Sequence, residues 1–499
     1  MLRGVIPNNR CLALARLFAL VLALAVIPAI SQAGELQIRT SVDHFIKTKT
    51  PYKGNVGTSV LYRFDNGFFF GGTVYSAAFG DAGGLFIGGV EVGKQFRLGG
   101  GNFAEAAVFY GGGGGAGQVP GDGSLLRPRF MLGHDFDGLQ LAAGVSYVRV
   151  TGSKISTPAL ELAFTAPFNL LSGFGHVDSC SSCDDMMGKL HVSLKEVKAV
   201  AKSFRPLNDG SRTAGKKLSP MFLAGTEFVF DFTQKFDIFF SAAGAAHGDG
   251  AGYAEWLAGL RYIHPIGPVD LFADAGLGFA GGGDVNTGGG FIGAANAGIE
   301  AHLTDWISLT ASLGLTGAMN GKFLALVPAI SIAAPLGGTA KDRGDTPLNP
   351  TKWRVSGGYS VIPSHKGMRK PGTGGSKSLG LINTKFDLMF SPRFYLSGQA
   401  YTITYGDAGG FAMGLVGPGY TIPVGDRFAI SAEVLAGAAA GGGINTGGGA
   451  VGVVNLDLDY KLSSSVALGL DLGWIHSWRG GLDAPLIGLG LKVDFTTFQ

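Results

Sequence analysis

The segment Val466-Ala-Leu-Gly-Leu-Asp-Leu-Gly-Trp474 decides the fold class, because its residues alternate between two kinds. Every second position is large and apolar, and the positions between them are small or charged. A period of two is typical of a β-strand whose two faces meet different environments. The same alternation returns in the neighbouring segments 454–462 and 487–495. The sequence therefore predicts an all-β protein with one wholly apolar sheet face.

The composition excludes several other classes. The chain has 499 residues, of which 85 are glycine, 46% are hydrophobic and only 15% are charged. So low a charge, with 35 phenylalanines, argues against disorder, and the glycines lack the three-residue period of collagen. The formal charge is +3, but the first 33 residues hold three arginines and no acid, so the remainder is neutral. We therefore expect no nucleic-acid partner.

Residues 1–33 have the pattern of a cleaved secretory signal peptide. Arginines and no acids accompany the apolar run 17–30, and Ser31-Gln-Ala33 supplies small residues for cleavage after Ala33. An uncleaved anchor helix is the alternative, although the run is shorter than the ~20 residues that a span needs. We expect export through the inner membrane.

Two glycine motifs recur three times in the same order. The first motif is Gly80-Asp-Ala-Gly-Gly84, Gly248-Asp-Gly-Ala-Gly252 and Gly406-Asp-Ala-Gly-Gly410. The second is a longer glycine cluster within 111–123, 281–290 and 441–449. These matches predict three homologous repeats. We expect repeat 1 at 34–169, a periplasmic linker at 170–188, repeat 2 at 189–337, a second periplasmic linker at 338–351, and repeat 3 at 352–499.

Turn spacing and aromatic residues favour a membrane barrel over a soluble sandwich. Short turns alternate with longer loops, as in transmembrane barrels with short periplasmic turns. Aromatic pairs flank the short turns at Phe64/Phe68, Phe230/Phe236 and Phe390/Phe394, as in an interfacial belt. We count eight strands per repeat. In repeat 3 we expect them at about 352–362, 378–390, 393–405, 410–423, 428–440, 449–462, 465–476 and 485–495. In repeat 2 the first strand has a helical alternative, because residues 193–196 fit a helix cap equally well.

The C-terminal segment Gly490-Leu-Lys-Val493-Asp-Phe495 resembles the assembly signal of bacterial outer-membrane β-barrel proteins. In that class, a glycine is followed by apolar residues two apart and a final aromatic. The resemblance implies a transmembrane up-and-down barrel and the barrel assembly machinery as a partner during biogenesis. Thr496 to Gln499 follow the aromatic, which departs from the pattern.

The repeats could close as three tandem eight-stranded barrels or join into one barrel of about 24 strands. The inward positions of repeat 3 carry charges in the periplasmic half and Gly, Ala and Ser in the outer half. An eight-stranded barrel has room only for side chains, so such residues would fill it. We favour three small barrels, with the single wide barrel as the alternative.

A basic stretch follows the first strand of every repeat. We expect it to face outward and to pair with lipopolysaccharide phosphates, although solvated loop charge is the alternative. The candidate contacts are Lys47, Lys49, Lys53, Arg205, Arg212, Lys216, Lys217, Lys366, Arg369 and Lys370.

Cys180 and Cys183 are the only cysteines after the signal peptide, and an oxidising periplasm favours a disulfide between them. A Cys2His2 metal site with His176 and His191 is the alternative. The glycine runs lack the strand–loop–helix context of a phosphate loop. With no Ser/His/acid set, we expect no enzyme activity, cofactor or metal.

We therefore expect a non-enzymatic integral protein of the outer membrane, structural or surface-interacting, that contacts outer-membrane lipid. A porin or passive channel for small solutes is the alternative, and the single wide barrel would favour it.

Overall fold

The computed structural model describes residues 34–115, 121–153, 155–167, 172–176, 193–213, 215–250, 252–304, 307–336, 350–373 and 375–498. These residues form three closed barrels of eight antiparallel strands each, with one further short strand. Within these ranges no helix is long and apolar enough to cross a membrane.

Barrel 1 is formed by the first eight strands. They are β1 (Gly34–Phe45), β2 (Tyr52–Phe64), β3 (Phe68–Gly80), β4 (Phe86–Gly99), β5 (Asn102–Gly114), β6 (Ser124–Phe136), β7 (Leu139–Val150) and β8 (Ser156–Pro167). The barrel closes because β1 pairs with β8, with Arg39 opposite Thr165. The short strand β9 (Ser172–Phe174) follows in sequence.

Barrel 2 has the same topology. Its strands are β10 (Ser193–Pro206), β11 (Met221–Asp231), β12 (Phe236–Gly248), β13 (Ala254–Ile266), β14 (Val269–Gly281), β15 (Phe291–Thr304), β16 (Ile307–Ala318) and β17 (Leu324–Pro335). It closes between β10 and β17, with Val200 opposite Ser331. The region that fitted a helix cap is thus the start of a strand.

Barrel 3 completes the chain. Its strands are β18 (Pro350–Ile362), β19 (Leu379–Met389), β20 (Phe394–Tyr405), β21 (Ala412–Val424), β22 (Phe428–Ala440), β23 (Ala450–Lys461), β24 (Val466–Ser477) and β25 (Asp483–Phe498). It closes between β18 and β25. Strand β9 pairs with the end of β25, with Phe174 opposite Phe495, so a segment that follows barrel 1 in sequence contacts barrel 3.

The prediction of three eight-stranded barrels is confirmed, and the single barrel of about 24 strands is wrong. In each repeat the first strand pairs with its own eighth strand rather than with the next repeat. The eight strands predicted in repeat 3 all form, with their ends displaced by at most three residues.

The outer surface of the barrels is apolar, the reverse of a water-soluble protein. In β24, Leu468, Leu470, Leu472 and Trp474 are 37–52% exposed, whereas Asp471 points inward and is 5% exposed. Outward apolar and inward polar residues are the pattern of a transmembrane barrel. The class expected from the sequence, a β-barrel of the outer-membrane type, is therefore confirmed by the fold.

The two ends of the barrels differ. We call one end the turn face, because it carries the short turns 65–67, 232–235 and 390–393. The opposite end is the loop face, and it carries the longer segments 46–51, 207–220 and 363–378. Four of the predicted belt residues are exposed at the turn face: Phe68, Phe236, Phe390 and Phe394. Phe64 departs from the prediction, because it is 3% exposed and stacks on Phe70 at 5.9 Å between ring centroids.

Candidate functional site: filled lumens and docked glycine loops

The lumen of barrel 1 contains a buried ion cluster. Arg39 Nη2 lies 2.7 Å from Glu105 Oε2. Arg129 Nη2 lies 2.7 Å from Glu91 and 2.7 Å from Glu105, and its Nη1 lies 3.1 Å from Glu161. All five side chains are at most 4% exposed. A buried charge without a partner is strongly unfavourable, so these groups stabilise one another as a set.

Barrel 2 holds a second cluster of the same kind. Arg261 Nη2 lies 2.8 Å from Glu227 and 3.0 Å from Asp274. Lys202 Nζ lies 2.8 Å from Glu255. Arg261 of β13 therefore pairs with carboxylates of β11 and β14, and Lys202 of β10 pairs with a carboxylate of β13, three strands away.

In barrel 3, two buried lysines bind a row of aspartates. Lys385 Nζ lies 2.9 Å from Asp471 and 3.4 Å from Asp457. Lys492 Nζ lies 2.9 Å from Asp457 and 2.8 Å from Asp459. The structure thus brings together the inward charges that the alternation of repeat 3 indicates.

Above these layers, large apolar side chains fill the loop-face half of each lumen. In barrel 3 the plug includes Leu381, Ile403 and Ile475, all fully buried. The expectation that Gly, Ala and Ser line this half is wrong. Sealing this half of a closed eight-stranded barrel needs apolar volume at native packing density, which small residues cannot supply.

The loops of barrels 2 and 3 contribute to these plugs. Leu218 is 1% exposed within the apolar cluster of barrel 2, and Met368 is 0% exposed within that of barrel 3. Backbone bridges join the same loops to the glycine clusters, from Arg212 to Val285 and from Arg369 to Ile444. Each loop therefore folds over its barrel and closes the mouth.

The space left in the lumen of barrel 2 is small. The cavity in barrel 2 has a volume of about 40 Å³ and is lined by Lys202, Glu227 and Arg261 among others. A cavity of that size holds a few water molecules at most. It is too small for a nutrient-sized solute.

Inward glycines make room for aromatic rings. A Cβ on Gly57 would lie 2.5 Å from the Tyr75 ring, and one on Gly419 would lie 2.2 Å from the Tyr395 ring. Both rings are buried. The narrow lumen therefore requires glycine at these positions, as expected for a small barrel.

Other glycines bring neighbouring barrels into backbone contact. Between barrels 1 and 2, the Gly83 amide donates to the Gly288 carbonyl at 3.2 Å. A Cβ on Gly84 would lie 2.1 Å from Gly282 N and 2.4 Å from the carbonyl carbon of Gly281. Only glycine permits so close an approach of two backbones.

Barrel 3 docks on barrel 1 in the same way. The Gly410 amide donates to the Gly113 carbonyl at 2.6 Å. The Asp122 carboxylate accepts from the Gly406 amide at 3.0 Å and the Asp407 amide at 3.2 Å. The first motif of repeat 3 is thus held by the second cluster of repeat 1.

The contact between barrels 2 and 3 is looser at the loop face. A Cβ on Gly449 would lie 2.6 Å from the Ala245 carbonyl oxygen, whereas one on Gly252 would lie 3.8 Å from Ala440. At the turn face these two barrels pack through Leu194 of barrel 2 and Trp353 of barrel 3.

Together the three contacts form a closed ring. The third strand of each barrel contacts the fifth strand of the next, as β3 with β14, β12 with β22, and β20 with β5. Each first motif therefore meets the second cluster of another repeat. This is a head-to-tail arrangement that closes after three units, as in a cyclic oligomer, but within one chain.

Two of the predicted basic candidates lie in strands rather than in loops. Lys53 belongs to β2 and Arg205 to β10, each at the loop-face end. The strands extend further toward the loop face than the sequence indicates, because β-pairing continues to Tyr52 in β2 and to Pro206 in β10.

Two further candidates make internal contacts. Arg212 Nη2 lies 2.8 Å from the Asp249 carboxylate, and Arg369 Nη1 donates to the Asp407 carbonyl at 3.1 Å. The remaining candidates are exposed at the loop face: Lys47, Lys49, Lys216, Lys217, Lys366 and Lys370.

The assembly-signal residues lie in β25. Gly490 faces Gly358, Val493 faces Val355, and Phe495 stacks on Trp353 at 6.2 Å between centroids. Pairing continues to Phe498, beyond the predicted end.

The signal peptide, Cys180, Cys183 and His191 lie outside the described residues. His176 is described, and its Nε2 lies 3.1 Å from the carbonyl oxygen of Trp353 and 3.7 Å from Asp494.

No family model matches the chain, and no curated protein matches it either. Among solved structures, the chain is similar to OpdQ of Pseudomonas aeruginosa, at 10% identity and a TM-score of 0.21, over 93% of this chain and 97% of that one. It is also similar to a BenF-like porin of Pseudomonas fluorescens, at 9% identity and a TM-score of 0.22, over 94% of this chain and 99% of that one. A third similar structure is the FrpB iron transporter of Neisseria meningitidis, at 9% identity and a TM-score of 0.29, over 95% of this chain and 83% of that one.

Sequence reasoning missed the ring of barrels, although its signal is present. Two glycine clusters in fixed order within each repeat are what a head-to-tail contact requires. The repetition indicated homology, but it did not indicate that the first cluster would meet a cluster of another repeat.

Proposed function

We propose that this protein is a closed, non-enzymatic integral protein of the bacterial outer membrane that binds lipopolysaccharide at its loop face. The filled lumens carry the proposal. The alternative, a porin or passive channel, needs an open path, and each described lumen is crossed by buried ion pairs and an apolar plug.

Opening such a lumen would be costly. Removing one partner from a buried ion pair costs roughly 3–5 kcal/mol, and a solute would have to separate several pairs at once. We therefore expect the barrels to serve as a membrane-embedded platform and not as conduits.

The charge of the loop face supports the lipid contact. Lys47, Lys49, Lys216, Lys366 and Lys370 are exposed, and among the described residues none of their ammonium groups forms an ion pair. Exposed cations at a membrane surface attract anionic headgroups by about 1 kcal/mol each. With the longer loops outside, these lysines would face the lipopolysaccharide phosphates.

Planar-bilayer conductance tests the closed lumens. The purified full chain should give no steady, large-amplitude channels at voltages that a general porin tolerates. Reproducible channels of porin size would overturn the closed-barrel proposal.

Binding to lipopolysaccharide vesicles tests the second part. The double variant K366Q/K370Q should bind roughly 30-fold more weakly at low salt, since two lysines contribute about 2 kcal/mol. The turn-face control K235Q/K461Q should bind like the unchanged protein. Equal effects of both variants would overturn the assignment of the loop face to lipopolysaccharide.

A further inference from the structure

The looser contact between barrels 2 and 3 leaves a cavity of about 310 Å³ at the loop face. Barrel 2 contributes Ala246 and His247, and barrel 3 contributes Thr446, Trp478 and Arg479 among others. The volume lies at the lower end of the range of small-ligand pockets, about 300–1,000 Å³.

The polar groups of the cavity suit an anion. Arg479 Nη1 lies 3.3 Å from His247 Nδ1, and both side chains are exposed. In the part of the chain that the structure describes, the Arg479 guanidinium has no carboxylate partner. A guanidinium offers donors in a planar fork that matches two phosphate oxygens.

This pair of residues occurs in only one of the three inter-barrel contacts. The position of Arg479 is taken in barrel 2 by Asn320, whose Oδ1 accepts from the Gly289 amide at 3.2 Å. The position of His247 is taken in barrels 1 and 3 by Phe79 and Tyr405. Barrel docking itself therefore does not require the Arg–His pair.

Below the cavity the surface is apolar. Strand β23 descends from Ala450 with Gly452, Val454 and Leu456 on its outer side, and Val454 is 62% exposed. The Trp478 ring lies over Gly452, with Cζ2 3.6 Å from where a Cβ would be. An anion-binding head above an apolar strip fits an amphiphile better than a free anion.

We propose that the crevice between barrels 2 and 3 is a binding site for one phosphorylated glycolipid of the membrane leaflet at the loop face. Its phosphate binds Arg479 and His247, and an acyl chain lies along β23 beside Trp478. The inference rests on the proposed function, because that assigns the loop face to the lipopolysaccharide-bearing leaflet.

Native mass spectrometry of the purified full chain tests the site, with diphosphorylated lipid A titrated into the detergent. We expect one tightly bound lipid per chain. The variant R479A loses a charge-assisted hydrogen bond, so its affinity for lipid A should be about 10- to 150-fold lower. The turn-face control R427A should bind lipid A with unchanged affinity. R479K keeps the charge but loses the fork, and we expect an intermediate loss.

The ligand series identifies the source of the phosphate. Dephosphorylated lipid A should bind as weakly as lipid A binds to R479A, and inorganic phosphate at millimolar concentration should not displace the lipid. Displacement by inorganic phosphate would instead indicate a site for a soluble anion and would overturn the proposal. Equal lipid binding by R479A and R427A would overturn it too.

The two proposals fail separately. The loop-face variant K366Q/K370Q reports on general lipopolysaccharide attraction and should keep the single tightly bound lipid. The variant R479A should lose that lipid while keeping most of the salt-dependent attraction.

Discussion

Placing a methyl group on Gly84 should loosen the contact between barrels 1 and 2. Gly84 has φ +86°, and its Cβ would lie 2.1 Å from Gly282 N. Gly99 is a matched control, because it has φ +94° and no atom within 4 Å of an added Cβ. The left-handed conformation costs both alanine variants about 1–2 kcal/mol. Only G84A adds the overpacking of two backbones, about 1–3 kcal/mol.

Hydrogen exchange measured by mass spectrometry reports this difference. The Gly83 amide is held by the Gly288 carbonyl, so opening of the contact exposes it to exchange. We expect the peptide that spans residues 81–86 to exchange about 5- to 150-fold faster in G84A than in the unchanged protein. This increase is counted after subtraction of the local effect of strain, which is measured as the change in exchange around residue 99 in G99A. Strand peptides of barrel 1 should keep their protection. If the exchange of peptide 81–86 is unchanged in G84A, the glycine docking has been misjudged.

Three other predictions concern the lumen, the loop face and the first linker. Arg129→Met removes a cation that Glu91 and Glu105 share, and we expect the free energy of unfolding of barrel 1 to fall by roughly 3–5 kcal/mol. Pulse proteolysis in urea measures this loss. An unchanged urea midpoint would contradict the role of the ion cluster. A hydrogen bond from Ser219, aided by Arg212, lowers the pKa of the Asp249 carboxyl. The stabilisation of loop 207–220 should therefore be present above the usual pKa of an aspartate, about 4, and be lost as the pH falls through the lower folded-state value. Limited proteolysis of this loop should show that onset, and Ser219→Ala should move it to higher pH. Finally, we expect Cys180 and Cys183 to be disulfide-bonded, so that alkylation requires prior reduction.

Local pattern was sufficient for the strands. The side chains of Leu468, Asp471 and Trp474 are placed outward or inward by the period of two alone, and the structure agrees at each position. The pattern also revealed the inward charges of repeat 3, because Lys385, Asp457 and Asp471 alternate with apolar neighbours.

The apolar plugs were harder to foresee. Met368 comes from a loop that looks basic and polar in sequence, and only its fold over the barrel buries it. Tyr75 and Tyr395 point inward as well, where the adjacent glycines Gly57 and Gly419 give them space. Which residues fill a lumen depends on contacts across the barrel and not on neighbours in sequence.

By itself the sequence determined that the chain is built of alternating strands, that it contains three repeats, and that one face of the strands meets lipid. Alternation is the same in three small barrels and in one wide barrel, because it reports only the two sides of a strand. Closure was decided by the pairing of each first strand with its own eighth strand, across more than a hundred residues. The partners of Arg39 and Arg129, the docking of the glycine clusters and the Arg479–His247 crevice followed from that closure. All of them join residues that are distant in the chain and become neighbours only when the barrels pack together.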